Sequence, residues 1–232
     1  MNPIKIGLAL PSQHTWTADF GLSVAMMCLA IQKHPFKGYQ GTGLEIMNKR
    51  SSLLPQLRQT LVQDAIKRGH THILFIDSDQ AFPPQLAHML ARWHKPVVGC
   101  NIATKSQEKS IPTARYAPKI NEWWGGHQVF SHGKKGIEQV WRLGFGVMMI
   151  DLSIFKTIPK PWFGVRYLPE PIDDFIGEDW FFCEVMDEHK IPILVDHEAS
   201  LLIDHIGSWR FGWDGIEPPE EPTQLRLVGE VK

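Results

Sequence analysis

The sequence predicts an α/β protein, a single domain built on a Rossmann-like mixed sheet with helices on both faces. Its length of 232 residues suits one domain. Over roughly the first hundred residues, short apolar runs alternate with helical segments, an order typical of right-handed crossovers and largely parallel strands. From residue 101 the chain becomes turn-rich, which indicates hairpins and a mixed second half.

The first elements follow from short apolar runs and their stop signals. Residues 4–10 are mostly apolar, include β-branched residues and end at Pro11-Ser12, which predicts a buried first strand followed by a ligand loop. Residues 17–32 are apolar with few breakers and predict the first helix. A brief second strand is expected over 44–47.

The next elements continue the alternation. A stripe of apolar residues at helical spacing over 51–68, followed by Gly69, predicts the second helix. The continuous apolar run 72–76 predicts a buried strand. Two prolines open a third helix over about 83–94, and residues 96–100 predict another strand.

The second half is expected to contain a strand over 147–151 and a helix over 180–189. Shorter strands are predicted over 193–195 and 201–204. The segment 218–232 is rich in Pro and Glu, which favours a loose or wrapping tail.

Composition limits the functional classes. Lys plus Arg number 24 against 25 Asp plus Glu, so the chain lacks the strong positive field that often accompanies nucleic-acid binding. Cys28, Cys100 and Cys183 are widely spaced in apolar runs, which predicts reduced thiols and a cytoplasmic location. The apolar stretch 20–31 is too short to span a bilayer, so no integral membrane segment is expected.

Three polar motifs follow predicted apolar segments or precede a predicted helix. Asp77-Ser78-Asp79 ends the run 72–76, where two nearby carboxylates favour a divalent cation with hard oxygen ligands, although the motif could equally cap the next helix. Gly177-Glu178-Asp179 precedes a helix, and Asp179 could be a cap there. His205 follows a short strand and could complete a metal shell or be structural.

Taken together these residues resemble a known family. The series Arg58, HILFIDSDQAF over 72–82, Gly144-Phe145-Gly146, Gly177-Glu178-Asp179 and Asp204-His205-Ile206-Gly207 is similar to GT-A glycosyltransferases, in particular their small phage- and virus-borne members. The resemblance spans about residues 4–209. It implies a GT-A domain over 1–232, with a nucleotide-sugar-binding half over about 1–105 and an acceptor and catalytic half over about 106–217.

The resemblance also implies a metal and a base. Asp77 and Asp79 form the DxD motif, with Asp79 on Mn²⁺ or Mg²⁺ and Asp77 nearer the ribose or a metal-bound water. His205 becomes the other metal ligand. Asp179, in the Glu178-Asp179 pair, becomes the catalytic base that takes the acceptor hydroxyl proton if the reaction inverts the anomeric carbon.

Other residues are assigned to the donor, a nucleotide sugar and by resemblance a UDP-sugar. Arg58 and Lys105 are candidates for its phosphates or base, although Gln59 follows Arg58 where many family members have Asn. Ser78 lies within the DxD motif, and the first loop would contact the nucleoside through Pro11 and Ser12. Gly144 and Gly146 could allow close approach of the sugar, or could only form a tight turn.

The acceptor stays open between a hydroxymethylated pyrimidine in phage DNA and a glycan. A basic rim for DNA could come from Lys33, Lys37, Lys49, Arg50 and the segment 105–119. Trp209 and Trp213 are candidates for stacking on sugars or bases. Two alternatives are a nucleotidyltransferase or phosphohydrolase on the same metal site, and a non-catalytic nucleotide-sugar-binding module.

Overall fold

A seven-stranded β-sheet forms the centre of the structure. The computed structural model describes residues 3–12, 15–36, 43–106, 110–118, 125–207 and 210–216. Over these residues the strands are β1 (Ile6–Ser12), β2 (Leu44–Arg50), β3 (His72–Ile76), β4 (Gln80–Ala81), β5 (Val97–Gly99), β6 (Arg115–Tyr116), β7 (His127–Gln128), β8 (Ile137–Val140), β9 (Val147–Asp151), β10 (Arg166–Leu168), β11 (Asp174–Ile176), β12 (Ile193–Asp196), β13 (Asp204–Ile206) and β14 (Arg210–Phe211). The helices are α1 (Ala18–Lys33), α2 (Leu54–Lys67), α3 (Leu86–Ala91), α4 (Glu178–Glu188) and α5 (His197–Ser200), with 3₁₀ turns at Leu152–Lys156 and Trp213–Gly215.

The large sheet is mixed. Its strand order is β2-β1-β3-β9-β5-β12-β8. β1 runs parallel to β2 and β3, and β5 runs parallel to β12. β9 lies antiparallel between β3 and β5, and β8 lies antiparallel at the edge. The predicted α/β mixed sheet is confirmed, but a strand from the second half separates two strands of the first.

Helices cover both faces of this sheet. Because successive side chains of a strand point to opposite faces, each central strand contributes to two cores. In β3, Leu74 and Ile76 pack in the core that contains buried residues of α1 and α3, whereas Ile73 and Phe75 pack in the core that contains those of α2 and α4. The predicted placement of helices on both faces is therefore confirmed.

The first two strands end later than predicted. β1 continues through Pro11 and Ser12, which pair with Lys49 and Arg50 of β2. Pro11 has no N–H to donate, but at this level β1 pairs only with β2, because its pairing with β3 stops at Ala9. The extension moves the ends of both strands toward the cleft described below.

Three other predicted boundaries need correction. The second helix starts at Leu54, so Ser51 stays in a loop. The third helix is only Leu86–Ala91, shorter than the predicted 83–94. The strand predicted over 201–204 is wrong: a turn occupies most of it and β13 starts at Asp204, because Leu202 faces solvent rather than a sheet.

The second half contains the predicted hairpin-like pairings. β6 pairs with β7 and β10 with β11, in both cases antiparallel, and β13 pairs with both β4 and β14. All three cysteines are free thiols, as predicted, with Cys100 and Cys183 buried. Among the described residues no helix is both long and apolar enough to cross a membrane. The predicted tail over 218–232 lies outside the described residues.

Candidate functional site

A cleft of about 540 Å³ opens at the carboxyl ends of β1, β2 and β3. In sheets with parallel strands this edge is the usual place for ligands, because loops from several strands converge there. Five predicted residues line it, namely Pro11, Ser12, Asp77, Ser78 and Asp79. The structure therefore brings the end of β1 and the DxD motif to one cleft, although they are more than 60 residues apart in the chain.

Four hydroxyl side chains of the cleft were not predicted, namely Thr15, Thr17, Ser51 and Ser52. Thr17 caps α1, since its hydroxyl accepts a hydrogen bond from the Phe20 N–H at 3.2 Å. The signal for Ser51 and Ser52 was available: they follow a strand parallel to β1, but the second strand was predicted to end too early. The cleft lining is consequently rich in small hydroxyl groups, which can donate to or accept from a polar ligand.

Asn48 supports the floor of this cleft. Its side-chain amide donates to the Ser12 hydroxyl at 2.8 Å and to the Leu10 carbonyl oxygen at 3.1 Å. Both bonds cross between β2 and β1, whose residues Asn48 and Leu10 are paired in register. The amide therefore fixes the position of Ser12 at the end of β1.

Arg58 is a buried link beneath the site. Its Nη2 donates to Asp77 at 2.9 and 3.2 Å, and its Nε donates to Glu178 at 3.2 Å. The guanidinium carbon lies 4.5 Å from the ring centre of Phe145, a cation–π contact. Arg58 is only 1% exposed, so the structure does not support its predicted contact with donor phosphates and instead shows it tying the DxD motif to the start of α4.

Buried Nη1 of Arg58 has no hydrogen-bond partner in the structure. Gln80, also buried, leaves its Oε1 without a partner while its Nε2 donates to Asp79 Oδ1 at 3.1 Å. Buried polar atoms are normally hydrogen-bonded, so each unpaired atom calls for an explanation, such as a bound water, ion or ligand. Neither atom was predicted as unusual, because sequence carries no signal for a missing partner.

Asp79 is surrounded by cationic or potentially cationic groups. Lys105 Nζ donates to its Oδ2 at 2.7 Å, and His205 Nε2 lies 3.3 Å from the same oxygen. Burial by itself would raise the pKa of Asp79, but the hydrogen bonds and charges of His205 and Lys105 outweigh burial and lower that pKa. Asp79 is therefore held as a carboxylate. Lys105 thus lies beside the DxD motif, paired with Asp79, and its predicted contact with the donor stays a prediction.

Strand pairing brings the histidine to the DxD motif. β13 runs antiparallel to β4, with His205 opposite Gln80, and the Ile206 N–H donates to the Asp79 carbonyl oxygen at 2.6 Å. His205 Nδ1 donates to the carbonyl oxygen of Ala103 at 3.0 Å. That bond fixes the ring and directs Nε2 at Asp79, the arrangement common for histidines that bind metals.

The predicted three-residue metal set is not assembled. Among the described residues, no three His, Cys, Asp or Glu side chains are grouped so as to hold a metal ion. Asp77 does not join Asp79 and His205 in such a group, and its carboxylate accepts two hydrogen bonds from Arg58. Asp79 and His205 do meet, and a carboxylate oxygen beside an imidazole nitrogen suits Mn²⁺ or Mg²⁺ if the ligand supplies the remaining oxygens. The donor set fits a metal shared with phosphates rather than a closed protein cage.

Asp179 lies in the first turn of α4, on the other side of the buried arginine. Its Oδ1 accepts from the Trp180 N–H at 2.7 Å. Burial, followed by the negative charge of Glu178, raises the pKa of Asp179 to about 6. Such a carboxyl group can accept a proton near neutral pH. Glu178, predicted beside it as catalytic, is engaged by Arg58 and is placed as a positioning residue.

Packing accounts for the two predicted sugar-site glycines. A Cβ on Gly144 would lie 2.9 Å from Thr113, and one on Gly146 would lie 2.7 Å from Ile102 and 3.2 Å from Gln80. The space beside each glycine is therefore filled by protein atoms. The Gly146 carbonyl oxygen also accepts from the Asp77 N–H at 2.9 Å, which anchors the DxD loop. A direct role with the sugar remains a prediction.

The remaining aromatic and basic predictions are only partly covered. Trp213 is buried and its indole N–H donates to the Ser200 carbonyl oxygen at 2.9 Å, so it is not available to stack on a ligand. Trp209, Lys37 and Lys119 lie outside the described residues. Within the predicted basic rim, Lys49 is paired with Asp64 at 2.6 Å.

Comparison with solved structures shows a similarity of fold. The crystal structure of A197 from STIV has a TM-score of 0.57 to this chain and 15% sequence identity, and the match covers 99% of this chain and 98% of that one. The two chains share a fold. No family model matches the sequence, and no curated protein matches it either.

Proposed function

We propose that the protein is a metal-dependent glycosyltransferase of the GT-A type, which moves a sugar from a nucleotide-sugar donor, a UDP-sugar by resemblance, to an acceptor hydroxyl. The observation that carries the proposal is the meeting of Asp79 and His205 beside the cleft at the carboxyl ends of β1 to β3. These residues are 126 positions apart, and each belongs to a motif on which the resemblance rests. The similarity to A197 is consistent with it at the level of fold.

The cleft suits a nucleoside diphosphate. Its hydroxyl groups and Pro11 offer contacts to a nucleoside, and Asp79 with His205 would hold Mn²⁺ or Mg²⁺ at its edge. The bound ion would stabilise the negative charge that grows on the leaving diphosphate. Lys105, now on Asp79, lies where it can neutralise phosphate charge, and it would exchange one anionic partner for another.

Asp179 supplies the proton acceptor. An acceptor hydroxyl is a poor nucleophile until a base takes its proton, and a carboxylate with a pKa of about 6 is ionised at neutral pH yet basic enough for the task. The proton would move from the acceptor oxygen to a carboxylate oxygen of Asp179. Glu178 and Arg58 would hold the first turn of α4 in place against the DxD loop. This arrangement corresponds to an inverting reaction.

A screen of nucleotide sugars tests the proposal. The purified protein is heated with UDP-, GDP-, CMP- and TDP-sugars, each with and without MnCl₂, and hydrolysis of the donor is followed by product analysis. One nucleotide sugar should raise the melting temperature only when manganese is present, because a ligand that binds the native state alone stabilises it.

The matched variants are His205→Ala, which should lose the manganese-dependent shift, and His189→Ala at the exposed C-cap of α4, which should keep it. Release of free sugar together with the nucleoside diphosphate would indicate that the bond at the anomeric carbon of the sugar is broken, as the proposal requires. New phosphoester bonds, or no manganese-dependent shift with any donor, would overturn the proposal.

A further inference from the structure

The hairpin β10–β11 carries an exposed aromatic face. Tyr167 and Phe175 are directly opposite each other in its register, and their ring centres are 5.2 Å apart. Phe175 is 64% exposed and Tyr167 is 47% exposed. Large exposed aromatic pairs are uncommon unless they contact a ligand or partner. Val165, two residues before Tyr167, is also exposed and extends this apolar surface.

The opposite face of the hairpin attaches it to the rest of the domain. Leu168 and Ile176 are buried, so the alternation of the strands turns Tyr167 and Phe175 outward. Arg166 is held by two hydrogen bonds to Glu184 of α4, at 2.7 and 2.8 Å. The Tyr167 hydroxyl donates to Asp173, which fixes that ring across the turn. The aromatic face is thus presented by a braced element.

The hairpin leads directly into the proposed base. β11 ends at Ile176, and after Gly177 the chain enters the first turn of α4 with Asp179. Phe175 and Asp179 are four positions apart in the chain, so their Cα atoms are at most about 14 Å apart. A molecule lying on the aromatic face can therefore extend to the carboxylate that would take its proton.

The charge of the hairpin limits the chemistry of that molecule. Glu170, Asp173 and Asp174 are exposed on it, so acidic groups outnumber Arg166, which is paired with Glu184. DNA carries about one negative charge per 1.7 Å of helix axis and is bound through Lys and Arg, so an acidic surface of this kind repels it. A neutral sugar has no such penalty, and its C–H groups can lie against the negative face of an aromatic ring.

We propose that Tyr167 and Phe175 form the acceptor platform and that the acceptor is a neutral carbohydrate rather than DNA. The inference rests on the proposed function, since Asp179 as the base defines where the acceptor must lie. It adds a binding site and a substrate class that the donor cleft alone does not define.

Two measurements test the platform. Saturation-transfer NMR is recorded with cellotetraose, maltotetraose and chitotetraose, which needs no catalysis. In parallel, transfer from the stabilising nucleotide sugar is measured to these oligosaccharides and to a duplex containing 5-hydroxymethylcytosine. The variants are Phe175→Ala and Phe175→Trp, with Leu29→Ala on the exposed face of α1 as the control for loss of a surface apolar group.

We expect saturation transfer and sugar transfer with at least one oligosaccharide. Phe175→Ala should raise the acceptor KM at least tenfold, Phe175→Trp should restore the KM, and Leu29→Ala should change neither the acceptor KM nor donor hydrolysis. Three outcomes would overturn the inference. They are sugar transfer to the duplex alone, no saturation transfer from the protein to any oligosaccharide, and equal acceptor KM values for Phe175→Ala and Leu29→Ala. If oligosaccharides bind in a way that depends on Phe175 but no nucleotide sugar binds, the platform is supported and the proposed function is contradicted.

Discussion

Asp79 and Asp179 are two half-buried carboxylates on either side of Arg58, and their surroundings differ in sign. Asp79 has Lys105 and His205 on one oxygen, and these groups lower its pKa despite burial. Asp179 has the carboxylate of Glu178 nearby, and burial together with that charge raises its pKa to about 6. One carboxyl group is kept ionised and the other is kept close to its titration point.

This difference separates two chemical tasks within one site. A permanently charged carboxylate beside an imidazole can bind a cation, whereas a carboxylate with a raised pKa can accept and release a proton. Arg58 lies between the two regions. It donates two hydrogen bonds to Asp77, on the Asp79 side, and one to Glu178, on the Asp179 side. The experiments below test each region separately.

The largest effect is expected on the Asp179 side. Asp179→Asn should lower turnover by about 10³-fold, because general-base catalysis typically contributes 10²- to 10⁴-fold. Binding of the nucleotide sugar should persist, since the base acts mainly in the transition state. Asp187→Asn, an exposed change on the same helix, is the control. Steady-state kinetics and calorimetry measure both quantities, and unchanged turnover would remove Asp179 from its assigned role.

The second-largest effect is expected when Arg58, which links the two regions, is replaced. Arg58→Met should lower the free energy of unfolding by about 3 kcal/mol, because removing one partner of a buried ion pair leaves the other carboxylates uncompensated. Arg68→Met, which breaks the exposed pair with Glu45, should cost less than about 1 kcal/mol. Urea unfolding compares the two, and equal losses would show that Arg58 is not the structural link described.

On the Asp79 side, His205→Ala should weaken the binding of Mn²⁺ with UDP by at least about 10- to 100-fold. The variant would remove a protein ligand, and even the loss of a group that only orients a ligand costs about this much. His189→Ala should not change it. Isothermal titration calorimetry at constant pH gives both affinities without turnover. An unaltered manganese affinity would separate His205 from the metal and return it to a structural role.

A pH series sharpens the contrast through stability. Because the pKa of Asp179 is raised on folding, its ionisation destabilises the native state, and this cost grows between about pH 4 and pH 6 and stays constant above. Relative to wild type, Asp179→Asn should therefore gain about 1 to 2 kcal/mol at pH 8 and nothing at pH 3, allowing for partial exposure. Urea unfolding at the two pH values measures the difference. An equal difference in unfolding free energy between variant and wild type at both pH values would contradict the raised pKa of Asp179.

The smallest effect concerns the cleft floor. Asn48→Ala removes the donor that fixes Ser12, so the affinity for UDP should fall a few-fold, in line with about 1 kcal/mol for one hydrogen bond. Gln32→Ala, an exposed amide on α1, should be neutral. Fluorescence titration with UDP resolves such a change. No difference between the variants would place the nucleoside away from Ser12.

Local pattern was enough to predict many elements but not their ends. The run 72–76 was predicted as a strand and is β3, because both its faces are buried and every position is apolar or next to the core. Ser51 was placed in a helix, although it lies in the loop that lines the cleft. In the sequence, nothing at Ser51 interrupts the helical pattern. In the structure, the loop starts where β2 stops pairing with β1.

The DxD motif, the Glu178-Asp179 pair and His205 were noted from their residue types and order, but their roles were assigned only by resemblance to GT-A glycosyltransferases. The alternation of strands and helices was enough to predict an α/β sheet. Tertiary structure decided the rest. Pairing of β13 with β4 set His205 against Asp79, β9 entered between β3 and β5, and Arg58 became a buried link rather than a phosphate contact. Neighbouring residues determine local conformation, but contacts across a hundred or more positions depend on which strands share hydrogen bonds, and that is settled only when the whole chain packs.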